Sequence, residues 1–258
     1  MRTPILSTED LTVRFGGHVA VDAVTCAFYP GELTAIVGPN GAGKTTYFNL
    51  ISGQIPASAG RVLLRGHEIS GHSVSQRTRA GIGRAFQLTN LFPNLSVLEN
   101  VRLVVQSKAH QGFNLWSMAS KHSELTDAAM QIVTRVRLHD QAEQVVSELS
   151  HGDQRKLEVA LLIALDPAVY MFDEPTAGMS VDEAPVVLDL IAELKDKGDR
   201  TILLVEHKMD VIRTLADRII VLHNGALAAD GDPGTVMASD VVQEAYMGRD
   251  LEGELANV

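Results

Sequence analysis

Gly38-Pro39-Asn40-Gly41-Ala42-Gly43-Lys44-Thr45-Thr46 constrains this chain more than any other stretch. Ahead of it lies Leu33-Thr34-Ala35-Ile36-Val37, a short apolar run with β-branched residues that reads as a buried strand. Behind it, Tyr47-Phe48-Asn49-Leu50-Ile51 carries apolar residues at helical spacing, with Gly53 placed to end the helix. Strand, glycine loop and helix in that order form the setting a phosphate-binding loop requires. The glycines let backbone N–H groups turn inward around phosphate oxygens, and the helix N-terminus adds partial positive charge. Lys44 is then expected to reach the β- and γ-phosphates and the Thr45 hydroxyl to ligate Mg²⁺. Gly38, Asn40, Gly41, Gly43 and Thr46 complete the candidate cradle.

Composition narrows the class. The chain has 258 residues, 45% hydrophobic and 21% charged, enough for one large α/β domain or two small ones. A net charge of −10 argues against a nucleic-acid surface as the main business. Cys26 stands alone, cannot form an internal disulfide, and reads as a packed strand residue between Val24 and Phe28; a reducing compartment is expected. Met1-Arg2-Thr3-Pro4 leads into a polar segment, so no signal peptide is expected. The most apolar window, Val159 to Phe172, is broken by Asp166-Pro167 and is too short to span a bilayer. Any membrane contact is expected to come through another chain.

Along the chain, Leu11, Val13 and Phe15 alternate with polar residues. Gly16-Gly17 then turns into a second alternating run that ends at Val24, Cys26 and Phe28, an antiparallel hairpin. Further strands are expected at Gly60–Gly66 and Gly81–Gln87. Ser96-Val97-Leu98-Glu99 reads as a capping box opening a helix through about Gln106. Leu125, Ala129, Ile132, Val133 and Val136 share one helical face. From Ser150 an α/β rhythm resumes: a helix to Leu165, a strand to Phe172, an amphipathic helix from Val186 to Lys195 and a strand from Thr201 to Val205. A helix through Leu215, a strand from Arg218 to Leu222, the turn His223-Asn224-Gly225 and a polar helical tail complete the reading. Buried strands alternating with amphipathic helices imply a largely parallel sheet covered on both faces.

Val169-Tyr170-Met171-Phe172-Asp173-Glu174 is an apolar strand ending in two carboxylates. Beside a phosphate loop, an acidic residue so placed holds Mg²⁺, usually through water, and a second can deprotonate the attacking water. Just before it, Leu149-Ser150-His151-Gly152-Asp153-Gln154-Arg155 resembles the L-S-G-G-Q signature of ABC-type ATPases, the motor subunits of ATP-binding-cassette transporters. His151 replaces the first glycine of that pattern, and Asp153 stands where glutamine is usual. Other marks of the family follow: Phe15 as the aromatic that stacks on adenine, Gln87 as the Q-loop glutamine, Gly178-Met179-Ser180 as the D-loop, and His207 as the switch histidine. Ser180 replaces the usual D-loop aspartate. Each mark has an ordinary reading too: Phe15 as strand core, His207 as a helix cap, Ser150 as an N-cap.

The resemblance covers nearly the whole chain. It implies an α/β P-loop NTPase core with a mainly parallel sheet, a small antiparallel β subdomain and an inserted α-helical subdomain. The implied boundaries are a core at 1–87 and 150–235, helices at 88–149 and a helical tail at 236–258. Two such domains are then expected to sandwich two ATP molecules head to tail. Each site would use Lys44, Thr45, Gln87, Asp173, Glu174 and His207 from one subunit, with Ser150 and Gly152 from the other; Thr45, Gln87 and Asp173 would hold Mg²⁺.

Gly83-Arg84-Ala85-Phe86-Gln87, Phe92 to Val101, Glu174 to Met179, Val205 to Met209 and Ala245-Tyr246-Met247-Gly248 resemble the ATPases of branched-chain amino acid importers and their urea and amide relatives. A lipopolysaccharide-export ATPase and a soluble, non-transport ABC ATPase are the alternatives. The implied partners are a second ATPase subunit (homo- or heterodimer), polytopic permease subunits and, indirectly, a periplasmic solute-binding protein, with no nucleic acid. The implied location is peripheral, on the cytoplasmic face of the inner membrane. Leu91, Phe92, Leu95, Phe113, Leu115 and Trp116 exceed what one short helix pair obviously buries, so some are expected to be exposed for docking to a permease.

Overall fold

The structure, a computed structural model, describes residues 2–85, 91–108 and 118–239. Gln87, Phe113, Leu115, Trp116 and the 245–248 segment lie outside the described residues. The chain divides into two compact units, one comprising Met1–Ile82, Ala168–Glu174 and the residues from Leu194 onward, the other Gly83–Pro167 and Pro175–Glu193.

In chain order the elements begin with β1 (Leu6–Phe15), β2 (His18–Phe28), β3 (Leu33–Val37) and α1 (Lys44–Ser52). Then come β4 (Ala59–Leu64), β5 (His67–Glu68), α2 (Val74–Ala80) and β6 (Ile82–Ala85). Helices α3 (Val97–Lys108), α4 (Met118–Arg135) and α5 (His151–Leu165) follow. The remainder is β7 (Val169–Asp173), α6 (Ala184–Asp196), β8 (Thr201–Val205), α7 (Met209–Leu215), β9 (Arg218–His223), β10 (Ala226–Gly231) and α8 (Pro233–Met237).

The first unit is built on the strands β10-β9-β3-β8-β7 of one sheet and on a four-stranded sheet of order β2-β1-β4-β5. β3 pairs parallel with β8 and β9, and β7 parallel with β8. All five residues of β3 and of β8 are buried, as expected for strands covered on both faces. Period-two alternation sorts β3 between two cores. Ile36 joins Tyr47, Phe48, Leu50 and Ile51 of α1 and Leu6, Val13 and Phe28 of the four-stranded sheet. Ala35 and Val37 point the other way, onto Ile212 of α7 and Val236 of α8. The phosphate-loop helix is therefore held between two sheets, where each large apolar side chain contributes roughly 1.5–3 kcal/mol relative to exposure.

Two local expectations are corrected. Directly after the Asn224-Gly225 turn, where φ is +49° and +80°, the chain forms β10, paired antiparallel with β9, instead of entering a helical tail; of the tail expected at 236–258, residues 240–258 lie outside the described residues. Two positive φ values in succession suit Asn-Gly and match the twist of a hairpin. Only five residues, Pro233–Met237, form a helix beyond it among those described. β5 and α2 were not foreseen. Leu91 is buried at 8% exposure, so it offers no docking surface, whereas Phe92 is 55% exposed.

In the second unit α3 packs against α4 and α5. Ser96 caps α3 by accepting the Glu99 N–H at 3.2 Å, and the Glu99 carboxylate meets Arg102 at 2.8 and 2.7 Å. Buried Asn100 accepts the Phe92 N–H at 2.8 Å and donates to the Phe92 and Ser96 carbonyls at 3.1 and 2.9 Å. The loop that carries Phe92 is thus fixed by its backbone. Among the described residues no helix is long and apolar enough to cross a membrane.

Candidate functional site

At the C-terminal end of β3 the chain turns through Gly38 at φ +150°, Gly41 at +81° and Gly43 at +96° before α1 begins at Lys44. Two of these glycines are forced by close backbone approach. A Cβ on Gly38 would stand 2.1 Å from the Leu222 carbonyl oxygen, and one on Gly43 would stand 2.5 Å from that of Ala20. Lys44 is 6% exposed and donates from Nζ to the Gly38 and Pro39 carbonyls at 2.7 and 2.9 Å, so the loop closes around its ammonium. The β9–β10 turn braces the loop from outside: Gly225 N–H donates to Ala42 O at 3.1 Å, and Asp22 N–H to Gly225 O at 2.8 Å.

A cleft of about 380 Å³ opens over this loop. It is lined by Phe15, His18, Ala20, the loop from Asn40 to Thr46, Glu174 and His207. Phe15 is 53% exposed at the end of β1, so it is not core. Glu174 follows β7 in the left-handed region at φ +52°, a conformation non-glycine residues take seldom and mostly where structure enforces it. Its N–H donates to Val205 O at 2.9 Å, and its Oε1 meets His207 Nε2 at 2.8 Å. An ionised carboxylate only accepts, so Nε2 carries the proton in that pair. Lys208, not His207, stands at the N-cap of α7, which frees the imidazole for Glu174.

Asp173 ends β7, half-buried and one residue before Glu174. Among the described residues no cluster of three or more His, Cys, Asp or Glu forms a metal cage. A hydroxyl and a carboxylate, Thr45 and Asp173, are the donor set that suits Mg²⁺ taking its other ligands from phosphate and water.

Ser150 and Gly152 lie in the second unit. Ser150 is the N-cap of α5, accepting the Asp153 N–H at 3.1 Å while its hydroxyl donates to Asp153 Oδ2 at 2.9 Å. A Cβ on Gly152 would stand 2.2 Å from the end of the Glu183 side chain, whose carboxylate accepts hydrogen bonds from Ser180 N–H and Oγ–H at 3.1 and 2.8 Å. Those bonds hold the Glu183 carboxyl below its ordinary range. His18, Ala20 and the Gly225 turn were not foreseen at the site. Only the β1–β2 register, Phe15 opposite His18, points to the first of them.

The family profile described as ABC transporter matches residues 21–177. The chain belongs to this family, and it is an ABC ATPase. It is 37% identical over 253 residues to the high-affinity branched-chain amino acid transport ATP-binding protein LivG of Escherichia coli (strain K12), a match covering 96% of this chain and 99% of that one. The probable LivG of Archaeoglobus fulgidus is 31% identical over 246 residues, covering 95% of each. Among solved structures, a nucleotide-free ATP-binding cassette from an ABC transporter superposes with a TM-score of 0.79 at 28% identity, covering 94% of this chain and 98% of that one. A cassette in its ADP conformation gives 0.79 at 29% identity, covering 95% and 99%. The α/β P-loop fold expected for the cassette, with its separate antiparallel sheet, is the fold observed.

Proposed function

We propose that this cassette is the motor subunit of an importer for branched-chain or other hydrophobic amino acids, hydrolysing ATP at the cleft over Gly38–Thr46. One observation carries the site assignment. Lys44, Thr45, Glu174 and His207, distant in sequence, line one cleft, and Glu174 and His207 pair there at 2.8 Å. The solute class rests on the relatives, whose names assign them to branched-chain amino acid transport.

The loop N–H groups and the Lys44 ammonium hold the β- and γ-phosphates, and Phe15 stacks on the adenine. Thr45 and Asp173 would hold Mg²⁺, with Gln87 a third ligand expected from the sequence; the ion would neutralise phosphate charge. Glu174 accepts a proton as water forms its bond to the γ-phosphorus and the bond to the β-bridging oxygen breaks. His207 orients the Glu174 carboxylate through Nε2–H. Ser150 and Gly152, at the start of α5, serve the nucleotide of a second cassette, so each site is completed on dimerisation. Permease subunits anchor the pair peripherally at the cytoplasmic face of the membrane, with a solute-binding protein on the other side.

Glu174→Gln is the test. It keeps the shape and loses the base, so turnover is expected to fall at least about a hundredfold with ATP affinity retained. Wild-type turnover would move the base role to His207. Uptake of labelled leucine by cells carrying the chain and its permease tests the solute class; uptake of urea or short amides in its place would overturn it.

A further inference from the structure

α2 is a seven-residue helix with a single fully buried side chain, and that side chain is Arg77, 3% exposed. A surface helix ordinarily docks by an apolar stripe; this one buries a cation, with Ala80 half-buried against the core beside it. Its start is set by a capping box, Gln76 N–H to Ser73 Oγ at 3.3 Å and Ser73 N–H to Gln76 Oε1 at 2.8 Å. Its end is set by Gly81 at φ +115°.

The guanidinium spends its donors on backbone alone. Nη1 donates to the Leu50 and Ile51 carbonyls, both at 2.7 Å, Nη2 to Ser70 O at 2.7 Å, and Nε to His72 O at 3.2 Å. Among the described residues no carboxylate pairs with it. Leu50 and Ile51 lie in the last turn of α1, where the helix dipole is negative; the Leu50 carbonyl also accepts the Gly53 N–H at 3.3 Å. That turn holds no basic residue of its own; Arg77 supplies the charge from another helix. Gly53, the C-cap of α1 at φ +82°, leaves room for the group, since a Cβ there would stand 2.7 Å from Arg77 Nε.

We propose that Arg77 is a positioning residue for ATP, fixing the far end of the helix whose first residues, Lys44, Thr45 and Thr46, meet the phosphates. The inference rests on the assignment of Gly38–Thr46 to those phosphates. Arg77 acts along α1: a nine-residue helix is a rod of about 13 Å, so a tilt at its C-terminus is delivered to the N–H groups at its N-terminus. Displacements of about 1 Å at such donors cost up to about a hundredfold in rate or affinity. The rival account is a plain helix cap that affects stability alone.

Full-length wild type, Arg77→Met, Arg77→Lys and Gly53→Ala are compared by steady-state ATPase kinetics and by melting with and without saturating ADP, with Lys44→Ala as control. Positioning predicts a KM for ATP about tenfold higher in Arg77→Met and Gly53→Ala, with kcat within about threefold. It also predicts a smaller ADP-induced rise in Tm, and partial recovery in Arg77→Lys, whose ammonium still serves one or two carbonyls. A lower Tm with wild-type KM and wild-type ADP response in Gly53→Ala and Arg77→Lys overturns the proposal, and these two decide it if Arg77→Met does not fold. Wild-type ATP affinity in Lys44→Ala would instead overturn the loop assignment.

Discussion

Cys26 and Tyr47 share a buried corner between the four-stranded sheet and α1. Thr8 Oγ1 lies 2.8 Å from the Tyr47 hydroxyl and accepts the Cys26 N–H at 3.1 Å. Burial, the largest influence, pushes the Cys26 thiol up from 9.0 to about 11, and burial likewise raises Tyr47 well above its ordinary value. Between these values the unfolded thiol ionises while the folded one stays protonated. The folded state then binds more protons, so stability falls as pH rises. The loss is about 1.4 kcal/mol per pH unit from about pH 9 to 11, with full stability below that window. Denaturant midpoints measured across this range are expected to fall in wild type and to fall less steeply in Cys26→Ala. Folded Cys26 is also expected to resist alkylation at neutral pH, since little thiolate is present.

The β9–β10 hairpin joins local turn chemistry to the nucleotide cleft. Gly225→Val is expected to destabilise the chain by about 1–3 kcal/mol, because φ is +80° and a Cβ would meet Ala20 O at 2.9 Å. ATP affinity should fall with it, as the bond from Gly225 to Ala42 loosens; equilibrium unfolding and nucleotide titration read the two effects. This hairpin also marks where sequence reasoning stopped. Asn224-Gly225 is a strong hairpin signal, but Ala226-Leu227-Ala228-Ala229 has high helix propensity, and pairing with β9 overrides it. α2 was invisible for another reason: its anchor is an arginine, and no apolar period announces it. β3, β7 and β8 were legible because strands buried on both faces are continuous apolar runs. Within the site, the glycine loop and Glu174 could be read from the residues around them, and His207 from the family resemblance. His18 and Ala20 reach the cleft, and Gly225 the outside of its loop, through strand pairing and close backbone approach, which no local pattern encodes.

At the scale of the whole molecule, the proposed transport of a solute requires a surface that a permease can grip. Phe92 is 55% exposed on a loop whose backbone Asn100 clamps, the arrangement expected of a rigid apolar anchor. Phe92→Asp is expected to reduce leucine uptake at least about tenfold while the isolated subunit keeps its ATPase activity within about twofold. Normal uptake by well-expressed Phe92→Asp would reject this docking surface. The sheet order carries a different consequence, one for the making of the protein. β3 leads into the phosphate loop, yet its neighbours are β8 and β9, and Leu33 N–H donates to the Asp217 carboxylate 184 residues further along. A growing chain therefore exposes its glycine loop long before the strands that flank it exist. At ribosomal speed the wait is on the order of ten to forty seconds. Capture of ATP is therefore expected only once β8 and β9 have been made and paired with β3.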